Sequence, residues 1–550
     1  MKKNKMAVPL LLVMMLLISA CSGSGSNNPG NAKNNEPDKA PTAVETGGEP
    51  KEKPTITVSV YDDGSIPAEE GTMEDNRWTE WINEHSPVQV KFISIPRWES
   101  QSKFNTLFAS GSAPDLILEY DNAFLNQLYA QKLIMPLDDL IEEHSTVYKQ
   151  LLEENPLLRN SGLKEDGKLY QFGRLLPIHP TQTLLIRTDW LEAVHMEVPQ
   201  TTEELFEVAK AFAEMDPDGN GQRDTYGIAF ANVPSGERAL AFRAMFQDAD
   251  WYINEQDEMV RAWDQKAAYT AFVKRLFDHN VIDKDFLTDK SGEKAEQDWM
   301  NGKAGMINLK HWEDKFHTGL LTNQPEAKVA SIPLPESEFG KFNPRTVPLL
   351  QMTGVINAGA KNPEAVMQFV DFMASEEAIK VVSYGLEGRH YTTGADGCPA
   401  YDSEFDKERV YLQYYQMLAQ RVILGKCVLP TQNYVHSEEA PKQDWYQIIM
   451  KNYDHYLNRE RPMADIFHPA AAPALPKDLQ IISAEEPAIW AKAIVSGSAY
   501  SIEQALADAQ AHWQRAGGEK LEAFYKDWYA NNKSTAVLSS NFYDYVVDPE

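Results

Sequence analysis

Apolar positions change rhythm along this chain in a regular order. Residues 55–60 (TITVSV) alternate β-branched and small polar side chains, which predicts a strand, and Tyr61, Asp62, Asp63 and Gly64 follow as a polar loop. A helix carrying Trp78, Trp81 and Ile82 comes next, then a strand over 88–95. A helix over 98–109 is closed by the Ser110–Pro114 turn, and a short buried strand over 115–118 runs into Glu119, Tyr120 and Asp121. Strand, helix, strand, helix, strand predicts βαβ units and a parallel sheet. Ligands of such sheets bind beyond the carboxyl ends of the strands. That picks out Asp62, Asp63, Glu119, Tyr120 and Asp121, although each would serve equally well as a helix cap or a solvated loop residue.

The rhythm continues with a helix over 201–214, Thr201 offering an N-cap hydroxyl ahead of Glu203 and Glu204. Helices are predicted over 238–246, 265–279 and 294–300, with a hairpin over 251–255 and 259–263. Strands are predicted over 226–231, 304–309, 329–334 and 349–356, and residues 184–186 are expected to carry the chain from the first lobe to the second. The 304–309 strand is expected to return toward the first lobe. The final third (411–422, 445–456, 489–494 and 502–529) reads as mostly helical, with residues 462–476 a loop rich in Ala and Pro.

Ahead of this body, Lys2, Lys3 and Lys5 precede an apolar run over 6–20, shorter than the roughly 20 residues that span a bilayer. That pattern predicts a signal peptide over 1–20. LISAC at 17–21 resembles the bacterial lipobox, whose cysteine receives a diacylglyceryl group. The resemblance implies a mature chain starting at Cys21 and anchored by lipid to the outer face of a membrane. An ordinary secreted protein or a single-pass anchor is the other reading. Residues 21–54, rich in Ser, Gly, Asn, Pro and charge, predict a disordered tether.

Hydrophobic content of 43% and 12 tryptophans require a folded body. Its roughly 500 residues call for two or three domains. A net charge of −29 argues against nucleic acid as a partner. Of three cysteines, Cys398 and Cys427 remain after Cys21; they are either a disulfide of an oxidising compartment or two free buried thiols.

Several segments, in order, resemble the extracellular solute-binding proteins of ABC importers, specifically the sugar-binding group. They are ASGSAPD at 109–115, LLIRTDWL at 184–191, PQTTEELF at 199–206, NGKAGM at 301–306 with Trp312 behind it, and NPEAVMQFVDFMASEE at 362–377. YGLEGRHY at 384–391 is similar to a signature of the large lipoprotein branch of Gram-positive bacteria. The resemblance implies a type II periplasmic-binding-protein-like α/β fold with two lobes joined by a hinge. Residues 55–183 with about 305–360 are expected in one lobe, 184–304 with about 361–535 in the other, and 536–550 as a tail. It implies a monomer that captures an oligosaccharide, delivers it to permease subunits and catalyses nothing. A neutral oligosaccharide is expected over a uronate oligomer, since a net charge of −29 gives a polyanion no long-range steering, unless a local basic cleft with Arg187 and Arg389 overrides it.

DPDGNGQRD at 216–224 carries oxygen-bearing side chains at Asp216, Asp218, Asn220 and Asp224, a glycine at 221 and a carbonyl at Gln222, which is calcium-loop spacing. Gly227 replaces the terminal bidentate Glu, and a strand rather than a second helix follows. A structural calcium is expected; a metal-free turn is the alternative.

Sugar sites stack rings on aromatic side chains and bracket hydroxyls with polar groups. The candidates at the expected cleft are Trp78, Tyr120, Tyr170, Phe172, Trp251, Trp312 and Tyr384, with Asp62, Glu119, Asp121, His179, Arg187, Glu387, Arg389 and His390 as polar partners. Trp312 is favoured. A carbohydrate hydrolase is the rival class, but no acid–nucleophile pair, nucleophile elbow or zinc motif is nominated. A calcium-dependent adhesion or scaffold module is a third; the loop has no twin copy.

Overall fold

The computed structural model describes residues 52–231, 237–344, 346, 349–459, 477–534 and 536–546. The expected signal peptide, Cys21, nearly all of the tether and the 462–476 loop lie outside them.

In chain order the strands are β1 (Thr55–Asp62), β2 (Gln89–Pro96), β3 (Leu116–Leu118), β4 (Phe172–Leu175), β5 (Gln182–Arg187), β6 (Tyr226–Ala229), β7 (Trp251–Ile253), β8 (Met259–Arg261), β9 (Ala304–Lys310), β10 (Val329–Ser331) and β11 (Leu350–Ile356). Two principal sheets result, ordered β2-β1-β3-β11-β4 and β10-β5-β9-β6. β1 runs parallel to both neighbours, with Thr55 opposite Gln89 and Val58 opposite Leu116. β11 enters antiparallel between β3 and β4. The predicted βαβ start therefore holds.

Helix Arg77–His85 begins in a capping box, Asn76 accepting from the Trp78 and Thr79 amides while the Thr79 hydroxyl accepts from the Asn76 amide. It buries Trp78, Thr79 and Ile82 against the first sheet. Trp78 is thus a core residue, its Nε1 donating to the Glu408 carbonyl at 2.7 Å, and not the cleft aromatic the sequence suggested. Phe172 is likewise buried, in β4.

The second sheet is covered on both faces, which is why β5 and most of β9 read as unbroken apolar runs. Phe206, Phe212, Phe230, Phe242 and Phe272 pack in one core, and Trp299, Leu309 and Trp445 in another. Helix Thr202–Glu214 starts at the expected Thr201 cap, completed by Glu204. The β7–β8 hairpin packs Trp251 on Tyr525 (ring centroids 4.5 Å apart) and beside Trp513. Trp251 is thereby buried in a satellite core remote from the strand ends, a second correction.

The lobe boundaries also change. β9 does not return to the first lobe; it lies between β5 and β6 in the second sheet. Conversely, helices Pro363–Met373 and Glu376–Tyr384 bury Val366, Phe369, Val370 and Ile379 in the first core, joined by Tyr411, Leu412 and Tyr415. Residues 536–546 are no loose tail: Val537 and Phe542 enter the same core, and Val546 pairs with Ile178. A helical period shows that one face is buried, not against which sheet. Cys398 and Cys427 are bonded, tying the hairpin Tyr391–Thr393/Pro399–Tyr401 to the segment Arg421–Val428. Among the described residues no helix is long and apolar enough to cross a membrane.

Candidate ligand-binding site at the lobe crossing

β1 and β3 end side by side, as the topology requires, and deliver Tyr61 and Tyr120 as stacked rings 5.7 Å apart. Arg97, at the end of β2, lies over both rings (4.4 and 5.3 Å to the centroids) and beside Trp98, which is 83% exposed. Glu119 is buried beneath them. Its Oε1 accepts from the Tyr61 hydroxyl and from the amides of Tyr120 (2.7 Å) and Asp121 (2.9 Å), while Oε2 is buried without a partner. Burial, then the Glu119 charge, push the Tyr61 phenol far up, so it remains a donor at any working pH.

β4 contributes Arg174. Its Nε and Nη2 donate to Gln351 Oε1 (3.0 and 2.8 Å), Nη1 to the Gln416 carbonyl (2.6 Å) and Nη2 also to the Tyr120 hydroxyl (3.2 Å). Arg421 follows, its Nε buried and unpartnered, in the electrostatic neighbourhood of Arg174, Tyr120, Tyr384 and Tyr401. Burial, reinforced by the like charge of Arg174, holds its guanidinium below the ordinary range.

Between β4 and β5 the chain crosses to the second sheet, and there His179 packs edge-on to His311 at 4.7 Å. His311 meets Trp312 at 4.4 Å, with Lys310 Nζ 4.9 Å from the indole. Burial lowers His179 to about 4 and, with the neighbouring His179, lowers His311 to about 2, so both rings are neutral near pH 7. Trp312 is 52% exposed. A strip of aromatic, guanidinium and imidazole groups therefore flanks the crossing in two parts, Trp98 to Arg174 and His179 to Trp312, with Arg421 in electrostatic reach of both.

The candidates named from sequence divide sharply. Glu119, Tyr120, His179, Trp312 and the buried Tyr384 join this strip. Asp121 caps helix Asn122–Ala130 and Asp62 closes a turn at Gly64, so both sit at its rim in local roles. Arg187 is sealed in a bidentate pair with Asp189 over the Trp190 ring, and Arg389 is paired with Glu408. Glu387 is exposed and accepts from the Thr393 hydroxyl at 2.6 Å. The YGLEGRHY segment is chiefly a structural turn. Gly385 sits at φ +88°, where a Cβ would lie 2.8 Å from that of His390, whose Nδ1 accepts the Leu386 amide.

Sequence reasoning missed Arg97, Trp98, Arg174, His311, Gln351 and Arg421. Two signals were present: Arg174 is a charge within the buried run FGRL, and Arg97-Trp98 directly follows a parallel strand.

The 216–224 loop is a separate feature. Asp216 accepts the amides of Asn220 (3.1 Å) and Gly221 (2.9 Å), and Asp218 and Asp224 share the Asn220 side-chain amide (2.8 and 3.1 Å). Burial and the carboxylates of Asp216 and Asp224 raise the Asp218 pKa. Gln222 lends no side-chain contact here, its amide donating to Asn220 Oδ1 at 2.7 Å. Among the described residues no three His, Cys, Asp or Glu side chains are arranged as a metal-holding group.

Comparison with known proteins decides the family. Residues 70–380 match the bacterial extracellular solute-binding protein family. The chain belongs to that family. Lipoprotein LipO of Bacillus subtilis is 26% identical over 405 residues, covering 71% of this chain and 74% of LipO. The polygalacturonan/rhamnogalacturonan-binding protein YtcQ of the same organism is 27% identical over 336 residues, 57% of this chain and 63% of YtcQ. Among solved structures, a human-milk-oligosaccharide (HMO) binding solute-binding protein from Bifidobacterium longum infantis superposes with a TM-score of 0.66 at 16% identity, over 87% of this chain and 98% of its own. An EF-hand mutant of Streptococcus pneumoniae FusA in complex with fructo-nystose superposes at 0.63 and 16% identity, over 87% of this chain and 99% of FusA. The fold of this solute-binding protein is thus type II, two α/β lobes joined by a hinge.

Proposed function

We propose that this protein captures an oligosaccharide between its lobes and passes it to the permease of an ABC importer, itself catalysing nothing. The strip at the crossing carries this reading. Exposed Trp98 and Trp312 stand at its two ends as ring-stacking platforms, and fixed arginine, histidine and tyrosine groups between them suit hydroxyl recognition. Glu119, His179, Trp312 and Tyr384 are the proposed ligand-side residues from the sequence reading, with Asp62 and Asp121 at the rim. Hinge closure of two lobes about such a strip would bury the ligand. YtcQ, a polygalacturonan/rhamnogalacturonan-binding protein, and FusA, solved in complex with fructo-nystose, support the ligand class. Cys21 would hold the protein as a monomer on the outer membrane face, which a lipoprotein-named relative supports.

A structural calcium is part of the proposal. Asp216, Asp218, Asn220, Asp224 and the Gln222 carbonyl would hold it, and the supporting observation is that Asp218 and Asp224 meet on the Asn220 side-chain amide while Asp216 accepts the backbone amides of Asn220 and Gly221. Bound there, a divalent cation supplies charge neutralisation and pins the end of helix Thr202–Glu214 to β6.

A thermal-shift screen of the full chain against oligosaccharides, with chromatography of the recovered sugar, tests the reading. A ligand confined to the native state raises Tm by mass action. Cleavage of the sugar would instead establish a hydrolase.

A further inference from the structure

We propose that the captured saccharide is acidic, a uronate-bearing oligomer whose carboxylate docks on Arg421 with Arg174 behind it. This rests on the carbohydrate reading above and narrows it. The protein carries 81 acidic against 52 basic residues, and several of its buried and half-buried arginines are matched to a carboxylate: Arg187 to Asp189, Arg238 to Glu313, Arg243 to Asp248 and Arg261 to Glu486. The strip is the exception. Among the described residues no ion pair joins Arg97, Arg174 or Arg421 to a carboxylate.

Arg174 spends its donors on neutral acceptors: Gln351 Oε1, the Gln416 carbonyl and the Tyr120 hydroxyl. Arg421 keeps a buried Nε with no acceptor at all. The nearby carboxylates are engaged elsewhere, Glu119 by the Tyr61 hydroxyl and Asp63 by that of Tyr414. Two guanidiniums that desolvate and repel each other are costly unless an anion completes them. A planar carboxylate matches the guanidinium fork.

The segment is also held in place before any ligand arrives. The Leu175 amide donates to Gln420 at 2.8 Å, and the Cys398–Cys427 bond anchors the far side. Tyr384 and Tyr401 lie in the electrostatic neighbourhood of the guanidinium, Tyr384 buried and Tyr401 covered by Arg409 at 3.6 Å.

Calorimetric titration of the full chain in detergent settles the point. The probes are oligomers of galacturonate, guluronate, mannuronate and glucuronate, each beside its carboxyl-methyl ester and its neutral counterpart. At least one acid binds, its methyl ester binds at least about tenfold more weakly, and that acid-to-ester ratio collapses toward one in Arg421→Gln. Arg421→Lys keeps part of the ratio, and ligand-free unfolding of both variants reports whether the fold is retained. An ester or neutral sugar binding as tightly as the acid overturns the acidic assignment and leaves the carbohydrate receptor standing. No binding by any saccharide overturns both.

Discussion

The 216–224 loop and the strip at the lobe crossing both concentrate charge, but by opposite routes. The loop gathers three carboxylates from nine consecutive residues, on turns that place Gly219 and Gly221 at positive φ. The strip gathers its cations from Arg97, Arg174 and Arg421, on elements brought together only by sheet order and a disulfide. One is a local device whose charges face each other across an amide; the other is a product of the whole fold. Removing a buried strip residue should therefore disturb folding and binding together, whereas removing a loop residue should act only through the ion.

The largest expected effect is at Arg174. Arg174→Ala strands Gln351 Oε1 and the Gln416 carbonyl and should cost about 3 kcal/mol in urea unfolding, besides weakening ligand. A loss no larger than that of a surface substitution would place the strip on the same footing as the loop. Next comes the loop. With calcium at about a hundred times its Kd, Asp216→Ala with Asp218→Ala should forfeit about 2.7 kcal/mol of stability, and nothing in chelator. Equal loss in both media would remove the ion from the account.

Smaller again, Trp312→Ala should weaken saccharide binding about tenfold by loss of stacking while leaving the melting temperature within a degree or two, since the side chain is half exposed. Unchanged affinity would shift the platform to Trp98. The smallest effect is a slope. His179 sits at about 4 in the folded protein against 6.5 unfolded, so the unfolded chain binds the extra proton between those values. Stability should fall by about 1 kcal/mol per pH unit as pH drops from about 6.5 toward 4. His311, held at about 2, adds a parallel slope, so His179→Gln should remove about half of the total.

The same contrast explains what could be read from the sequence. β1, β2, the Thr201 cap, the β7–β8 hairpin and the DPDGNGQRD spacing are each written in a few adjacent residues, and each was legible. Glu119 and Tyr120 were named because strand ends follow from topology, and His179 only as a polar neighbour of candidate aromatics; the fold places all three at the crossing. Trp78 and Trp251 misled, because composition cannot tell a platform from a core residue when both need a large apolar face. Arg187 misled because its partner, Asp189, is two residues away and closes on it. The lobe assignments of β9 and of helix Pro363–Met373 depend on pairing across more than 100 residues, which no local pattern encodes. Arg421 was invisible for the same reason: it becomes a site only beside Arg174.

The first core has a further consequence for how the chain comes into being. It draws on residues 56–178, 349–424 and 537–546, so Val537 and Phe542 must dock on partners more than 100 residues earlier in the chain. Until they arrive, β4 and the crossing strand lack the packing that Val546 provides against Ile178. Such late, long-range closure makes folding slow. A chain built this way stays loosely packed around β4 until its distant segment docks, and it locks only then.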